Sequence, residues 1–311
     1  MCYNDEKKRR EADIMFKKMI FCLLILLLLT ACAQGTGDDP STAGNGPEGQ
    51  LNEDAGSSEQ PGNSSEPSTS DPSDEAEETE VVPEPVEPEE PEEPVYTHYM
   101  NKVYDIKPLD ESAESKVVLL TFDDGPKSAD TLEPLLDTLD KHGAKAIFFV
   151  NGFRVKANPD LLKLIYDRGH AIGNHSWDHI NLKKESEETI RQQIDDVQRI
   201  VEETVGERPV FFRPPHGASN EFLREYVKDQ GMLFMTWSNG SLDWESGQQT
   251  SEAVIANVFK QLRPGSNILM HELQWTVEAM DELLTKLEEE GYSFVDPHKI
   301  QIEPPEDEQA G

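Results

Sequence analysis

Acidic residues and histidines follow several apolar segments of this sequence, at the points where strands would end. Asp123 and Asp124 come directly after Val117–Phe122, a run of apolar residues and one threonine. Two adjacent carboxylates at the end of a buried strand are costly unless a positive group neutralises them. A solvated turn is the alternative interpretation, because Asp-Gly-Pro is common in turns.

Two histidines four residues apart, His175 and His179, follow another apolar segment. If the chain is helical there, both imidazoles lie on one face and can bind a single cation. The spacing alone is not diagnostic, since pairs of surface histidines are common. Together with a carboxylate from Asp123 or Asp124 and an open position for water, the two histidines match a catalytic zinc site.

Three more segments end in ionisable residues. Arg213 follows two phenylalanines, Asp243 follows a tryptophan-containing stretch, and His271 follows Ile268–Met270. A buried Arg213 needs a carboxylate partner, whereas an exposed loop arginine does not. A single histidine such as His271 is more often a packed core residue, but five such endings in succession are hard to explain by packing. They favour one active site at one end of a parallel sheet.

The elements that must position these residues alternate along the chain. Seven strands are predicted, at residues 117–122, 146–150, 170–173, 210–212, 232–237, 267–270 and 292–295. Six helices are predicted among them, at residues 131–142, 159–168, 187–205, 220–230, 251–262 and 276–290. This alternation predicts a parallel sheet closed into a (β/α) barrel, with a flat doubly wound sheet as the alternative. No Gly-x-Gly-x-x-Gly follows the first strand, which argues against a nucleotide-binding version.

Composition divides the 311 residues and their net charge of −34 into unlike parts. Residues 33–95 contain 19 acidic residues, 10 prolines and no lysine or arginine. They have too few apolar residues to bury a core, so we expect a disordered acidic linker. Residues 96–301 are long enough for one barrel-sized domain, and residues 302–311 are expected to be a disordered tail. Nucleic acid is not expected as a partner, because clustered lysine and arginine are lacking.

The N-terminal region predicts export. Ile20–Leu29 is apolar, follows two lysines and is too short to span a bilayer, as is typical of a signal peptide. Leu29–Cys32 resembles the bacterial lipobox, so residues 1–32 are predicted to be a lipoprotein signal peptide with Cys32 acylated. Met15 fits a translation start better than Met1, because it gives a signal peptide with a shorter N-terminal region. A plain signal peptide or a short membrane anchor is the alternative. Processing would leave one cysteine, so disulfides are excluded and any metal must use histidine and carboxylate ligands.

Five segments, taken together, resemble those of the polysaccharide deacetylases, also called NodB-homology domains or carbohydrate esterase family 4. The matching motifs are Thr-Phe-Asp-Asp-Gly (121–125), His-Ser-x-x-His (175–179), Arg-Pro-Pro-x-Gly (213–217), a segment ending in Asp-Trp (237–244) and Leu-x-His (269–271). The resemblance covers about residues 116–296. It implies a distorted, TIM-barrel-like (β/α)7 barrel over residues 96–301.

The resemblance also implies roles for the residues of these motifs. Asp124, His175 and His179 would bind a divalent metal, with Zn²⁺ expected and Co²⁺, Mn²⁺ or Ni²⁺ as alternatives. Asp123 would be the catalytic base, and Arg213 would pair with it.

The remaining roles concern the leaving group and the acetyl group. His271 would protonate the departing amine, held as imidazolium by Asp243. The backbone N–H of His216 would bind the oxyanion, and Trp244 and Leu269 would enclose the acetyl methyl group.

Two positions depart from the family pattern. The family commonly has tyrosine at the position of His216, and aspartate at the position of Gly240. A backbone donor survives the first change, whereas contacts to the sugar can differ. We interpret the second as a change of support or specificity.

These features predict a metal-dependent deacetylase of a cell-envelope polysaccharide, foremost N-acetylglucosamine of peptidoglycan. Secondary wall polymers, chitin fragments and exopolysaccharide are alternative substrates. The protein is expected to be a monomer on the outer face of the cell membrane, held there only by its lipid anchor. Two other functions remain open, namely a carbohydrate-binding lipoprotein with little catalysis and a metal amidohydrolase for small amides.

Overall fold

The computed structural model describes residues 95–305. The predicted signal peptide with Met15 and Cys32, the linker up to Pro94 and the tail from Glu306 lie outside the described residues. Within residues 95–305, no helix is long and apolar enough to cross a membrane.

The centre of the fold is one parallel sheet. Its strands are β3 (Val117–Gly125), β4 (Ala146–Val150), β5 (Ala171–Asn174), β6 (Phe211–Phe212), β7 (Leu233–Phe234), β8 (Asn239–Gly240), β9 (Ser266–His271) and β10 (Ser293–Phe294). The order is β7-β6-β5-β4-β3-β9-β8, with β10 pairing with the start of β3. Strands β3 to β7 thus follow one another in chain order without a reversal, as in a barrel and unlike a doubly wound sheet. The prediction of a distorted (β/α)7 barrel is confirmed, and the sheet curls into a half-barrel.

Helices cover the outside of this sheet. They are α1 (Ala129–Lys141), α2 (Gly152–Ala157), α3 (Pro159–Asp167), α4 (Glu187–Val205), α5 (Glu221–Asp229), α6 (Ser251–Gln261) and α7 (Gln274–Glu289). All six predicted helices are present, and among the α-helices of residues 95–305 only the short α2 was not predicted. Helix α4 begins where the Ser186 hydroxyl accepts from the Thr189 N–H and ends at Gly206, which has a φ of 86°.

A second sheet of three short strands was also not predicted. It contains β1 (His98–Met100), β2 (Ile106–Pro108) and β11 (Ile300–Gln301), in the order β11-β1-β2. It joins the first and last described segments of the chain.

The predicted strand 232–237 is wrong in its length. Only β7 and β8 form in this region, at opposite ends of the sheet order. Between them the carbonyl of Thr236 accepts hydrogen bonds from Arg213 Nη2 at 2.9 Å and Asn267 Nδ2 at 3.1 Å. Side chains therefore satisfy a backbone group that a strand would pair in a ladder.

The side chains of β3 alternate between its two faces, and this alternation determines where Asp123 points. Val118, Leu120 and Phe122 pack in the layer shared with the helices. Val117 and Leu119 belong to the separate core that includes Ile147, Phe149 and Phe211. Because successive side chains of a strand point to opposite faces, Asp123 follows the parity of Leu119 into this inner core.

Candidate functional site

Asp123 and Arg213 form a buried ion pair inside the barrel. Arg213 is completely buried and Asp123 is 4% exposed. Arg213 Nη1 donates to Asp123 Oδ1 at 2.7 Å and to Thr121 Oγ1 at 2.8 Å. Its Nη2 donates to the Thr236 carbonyl and, at 3.2 Å, to Asn267 Oδ1. This network fixes one oxygen of Asp123 and leaves the other, Oδ2, for chemistry.

Asp124, His175 and His179 meet beside this pair. The Nε2 atoms of His175 and His179 lie 3.6 and 3.2 Å from Asp124 Oδ1, and the three potential ligand atoms lie within 4.8 Å of one another. Asp124 Oδ1 is buried without a hydrogen-bond partner. His175 Nδ1 lies 2.7 Å from the Arg213 carbonyl oxygen, so Nδ1 donates and Nε2 presents a lone pair. One carboxylate and two imidazoles around an unsatisfied oxygen fit a divalent metal.

Protonation also suits metal ligation. Burial raises the pKa of Asp124, but the charges of His175, His179, His271 and Lys127 outweigh it and hold that pKa below its ordinary value. Burial lowers the pKa of His179 to about 4, against the opposing charge of Asp124. A carboxylate and a neutral imidazole are the forms that bind metal.

The segment from His175 to His179 is a loop and not the helix that would place both imidazoles on one face. Ser176 and His179 have φ values of 64° and 55°, and Asp124 has 66°. Asn151 Nδ2 donates to the His175 carbonyl at 2.8 Å, and Asn174 Oδ1 accepts from the Ser176 N–H at 3.0 Å. These buried amides hold a backbone conformation that is uncommon for residues with side chains. The histidines converge because of this loop and not because of helical spacing.

His271 lies on the other side of the same cavity and pairs with Asp243. His271 Nδ1 donates to Asp243 Oδ1 at 2.7 Å, and Asp243 Oδ2 accepts from the His271 N–H and the Thr276 hydroxyl, each at 2.7 Å. Burial lowers the pKa of His271, but the hydrogen bond and charge of Asp243, with the charges of Asp123 and Asp124, hold it above its ordinary value. The buried carboxylate therefore favours the imidazolium.

Aromatic side chains border a cavity of about 390 Å³ over these groups. Trp244 lies edge-on to His271 with ring centroids 5.3 Å apart, and Leu269 lines the same space. The ring of His216 lies 4.8 Å from that of His179, on a backbone with a φ of 60°. Trp237 also lines the cavity.

Glycine at position 240, where the family commonly has aspartate, does not disturb the surrounding backbone. The Gln261 side chain binds both its carbonyl, at 2.9 Å, and its N–H, at 3.3 Å. A Cβ added there would lie 3.6 Å from Trp237 Nε1 and from Trp244, an ordinary contact. Glycine in place of aspartate thus leaves no side chain beside the indoles of Trp237 and Trp244, while Gln261 keeps the backbone hydrogen-bonded.

The structure brings together every predicted site residue that it describes. These are Asp123, Asp124, His175, His179, Arg213, His216, Asp243, Trp244, Leu269 and His271; Cys32 lies outside the described part. Sequence reasoning missed the supporting residues Thr121, Asn151, Trp237, Asn267 and Thr276. Only Thr121 carried a signal, since it stands two residues before Asp123 and so shares its face of β3.

Comparison with known proteins identifies the family. The family profile described as "Polysaccharide deacetylase" matches residues 110–235. The peptidoglycan-N-acetylglucosamine deacetylase PgdA of Listeria monocytogenes is 37% identical over 202 residues, which are 65% of this chain and 42% of PgdA. This chain thus spans less than half the length of that relative.

Two other similarities extend further along the compared protein. The peptidoglycan-N-acetylmuramic acid deacetylase PdaA of Bacillus subtilis is 34% identical over 194 residues, which are 61% of this chain and 73% of PdaA. A solved structure from Bacillus anthracis, a carbohydrate esterase family 4 pseudoenzyme, aligns with a TM-score of 0.56 and 32% identity over 58% of this chain and 63% of that one. The extent of these matches shows that this chain belongs to the polysaccharide deacetylase family.

Proposed function

We propose that this chain is a metal-dependent hydrolase that removes N-acetyl groups from a cell-envelope polysaccharide. The observation that carries the proposal is the pair of groups flanking the candidate metal ligands. Asp123 is held by an arginine, and His271 is held by a carboxylate. A base on one side of a reaction centre and an acid on the other are what amide hydrolysis requires.

Asp124, His175 and His179 would hold the cation, with Zn²⁺ expected. When bound, the cation lowers the pKa of a water molecule and polarises the acetamide carbonyl. Asp123 accepts the proton of the attacking water at Oδ2, while the hydrogen bond from Arg213 to Oδ1 orients the carboxylate.

His271 then donates a proton to the departing amine, because an amine leaves readily only when it is protonated. Asp243 stabilises the imidazolium that carries this proton. The backbone N–H of His216 donates to the oxyanion of the tetrahedral intermediate. Trp244 and Leu269 receive the acetyl methyl group.

The foremost substrate is N-acetylglucosamine of peptidoglycan. The similarity to PgdA supports this choice, and the similarity to PdaA supports N-acetylmuramic acid as the alternative within the same polymer. An extracytoplasmic location follows from such a substrate. We also propose that Cys32 is acylated and anchors the chain, as Leu29–Cys32 indicates. Palmitate labelling should then be lost in Cys32→Ser; equal labelling of both proteins would contradict the anchor.

Acetate release tests the function. The zinc-loaded full chain is assayed against peptidoglycan glycan strands, chitin oligomers and a small acetamide. We expect release from the strands to exceed release from the acetamide. Preference for the acetamide would support an amidohydrolase of small amides instead, and absence of release from all three would refute deacetylation.

A carbohydrate-binding protein with little catalysis is the second candidate. The glycine at position 240 and the similarity to a pseudoenzyme of the same family favour it. It predicts that the full chain binds glycan strands with no acetate release, and that Gly240→Asp raises the release. The complete set of Asp123, Asp124, His175, His179 and His271 favours the first candidate.

A further inference from the structure

Two cationic residues, Lys127 and Arg154, follow the ends of two neighbouring strands near Asp124 and have no role in the chemistry above. They follow neighbouring strands, since Gly125 of β3 is paired with Val150 of β4. The Asn151 N–H donates to the Gly125 carbonyl at 3.1 Å, which holds the two connections together. Both residues are partly exposed. We call Lys127 and Arg154 the rim cations.

Neither rim cation has an anionic partner within residues 95–305. Within the described residues, no carboxylate oxygen forms an ion pair within 4.0 Å with Lys127 Nζ or with the guanidinium nitrogens of Arg154, and the Nε atom of Arg154 is buried without a hydrogen-bond partner. The Arg154 guanidinium lies 5.0 Å over the ring of Phe153, which is 41% exposed. The two cations do not lack partners because carboxylates are few, since residues 96–311 contain 39 acidic and 22 basic residues.

The nearby carboxylate of Glu272 is committed elsewhere. It accepts from the backbone N–H groups of Lys127 at 3.0 Å and Ser128 at 3.1 Å, and from the Thr131 hydroxyl at 2.7 Å. It therefore caps the start of α1 and leaves the Lys127 ammonium unpaired. Asp124 faces His175 and His179, with Oδ1 3.6 and 3.2 Å from their Nε2 atoms, in the candidate metal site.

Two unpaired cations beside a divalent-cation site repel each other and the metal. Burial lowers the pKa of Lys127, the charge of Asp124 opposes this, and the charge of Arg154 lowers it further. An anion supplied by a ligand would relieve this repulsion. The planar guanidinium of Arg154 suits the two oxygens of a carboxylate.

The rim cations are not among the residues that line the cavity, so they would meet a part of the ligand other than the acetamide. Strand β4 is central in the sheet order, whereas Trp237 and Trp244 lie next to β7 and β8, at its two ends. A glycan that crosses the metal ligands from the aromatic side would thus place a neighbouring sugar at the rim cations.

We propose that Lys127 and Arg154 form a cationic subsite that binds a carboxylate carried by the glycan, on a sugar adjacent to the one being deacetylated. The proposal rests on the proposed function. It selects carboxylate-bearing strands, such as those with lactyl ether or peptide carboxylates, over neutral N-acetylglucosamine oligomers.

The test compares kcat/KM for acetate release from three substrates of equal length. They are peptide-free peptidoglycan strands, the same strands with their carboxylates amidated, and chitin oligomers. In the zinc-loaded full chain we expect the free-acid strands to be preferred over the amidated strands by about tenfold or more. Lys127→Gln and Arg154→Gln should each lower that preference several-fold, and added salt should weaken it. Lys163→Gln, a matched change of an exposed lysine on α3, should leave the preference unchanged.

Several results would overturn the subsite. One is equal activity of the wild type on free-acid and amidated strands, and another is an unchanged preference in both variants. A second comparison, of peptide-bearing with peptide-free strands, identifies the carboxylate: preference for the peptide-bearing strands would assign it to the peptide, and the reverse would assign it to the lactyl ether. If the wild type releases no acetate from any substrate, the proposed function fails. The subsite is then tested by equilibrium binding. Wild type should bind the free-acid strands more tightly than the amidated strands, and Lys127→Gln and Arg154→Gln should reduce that difference.

Discussion

The carboxylate of Asp243 offers the sharpest test of the proton donor. It makes three hydrogen bonds of 2.7 Å, to His271 Nδ1, to the His271 N–H and to the Thr276 hydroxyl. In Asp243→Asn one carboxylate oxygen becomes an NH₂ group, which cannot accept from any of these donors. The substitution therefore removes the charge that favours imidazolium and breaks at least one of the three bonds.

The magnitude follows from the role of the pair. General acid catalysis contributes about 10²–10⁴-fold, so kcat of Asp243→Asn should fall within that range. The pKa of His271 is raised in the folded protein, so the acid stays protonated to a higher pH than an ordinary histidine. Without Asp243 that pKa falls by about one unit for each 1.4 kcal/mol of lost interaction. The alkaline limb of the pH–kcat profile should therefore move to lower pH.

The assay is acetate release by zinc-loaded wild type and variant between pH 5 and 10. Thr276→Val is the matched control, because it removes one hydrogen bond of Asp243 and keeps the charge. We expect the control to retain the alkaline limb near its wild-type position. An alkaline limb at the same pH in Asp243→Asn as in wild type would refute the assignment of His271 as the acid.

Three further predictions concern the metal and the stability of the domain. Chelation should abolish acetate release and lower Tm, with both restored by Zn²⁺, because a ligand bound only by the native state stabilises it; full activity after chelation would contradict this. Gly173→Ala should lower the free energy of unfolding by about 1–3 kcal/mol, since its Cβ would lie 2.3 Å from the Phe149 ring. Gly240→Ala, whose Cβ meets nothing closer than 3.6 Å, is the control, and equal losses in both would refute the steric argument. Burial lowers the pKa of His170 to about 4. Its unfolded form takes up a proton first as pH falls below about 6.5, so the free energy of unfolding should decrease between pH 6.5 and 4, by about 1.4 kcal/mol per pH unit. Urea unfolding at several pH values should show a smaller decrease in His170→Phe, and identical slopes would contradict the role of His170.

The positions of Asp123 and Arg213 could be predicted from the sequence, because strand periodicity determines the direction of both side chains. The alternation of β3 carries Asp123 into the inner core behind Leu119 and Thr121, and Arg213 follows Phe211 in the same way. Two residues that point into one small core, one acidic and one basic, must pair there.

Local spacing was a poor guide where the chain is irregular. His175 and His179 converge through a loop with left-handed residues, held by buried amides from other segments. Residues 175–179 alone do not predict these hydrogen bonds, because Asn151, which donates one of them, is distant in sequence.

The strand predicted over 232–237 failed for a related reason. The Thr236 carbonyl is satisfied by Arg213 and Asn267, from two other strand segments, and these contacts replace a ladder. Such competition between side chains and backbone becomes visible only when the sheet has been assembled.

In the proposed reaction, Asp123 removes the proton of the attacking water beside a bound metal. Acetate release and metal content should be measured together on zinc-loaded wild type and Asp123→Asn, after circular dichroism shows that both are folded. We expect the variant to retain about one zinc per chain and to lose several orders of magnitude in kcat, in line with loss of a general base. Zinc retained with acetate release at the wild-type rate would show that Asp123 is not the base.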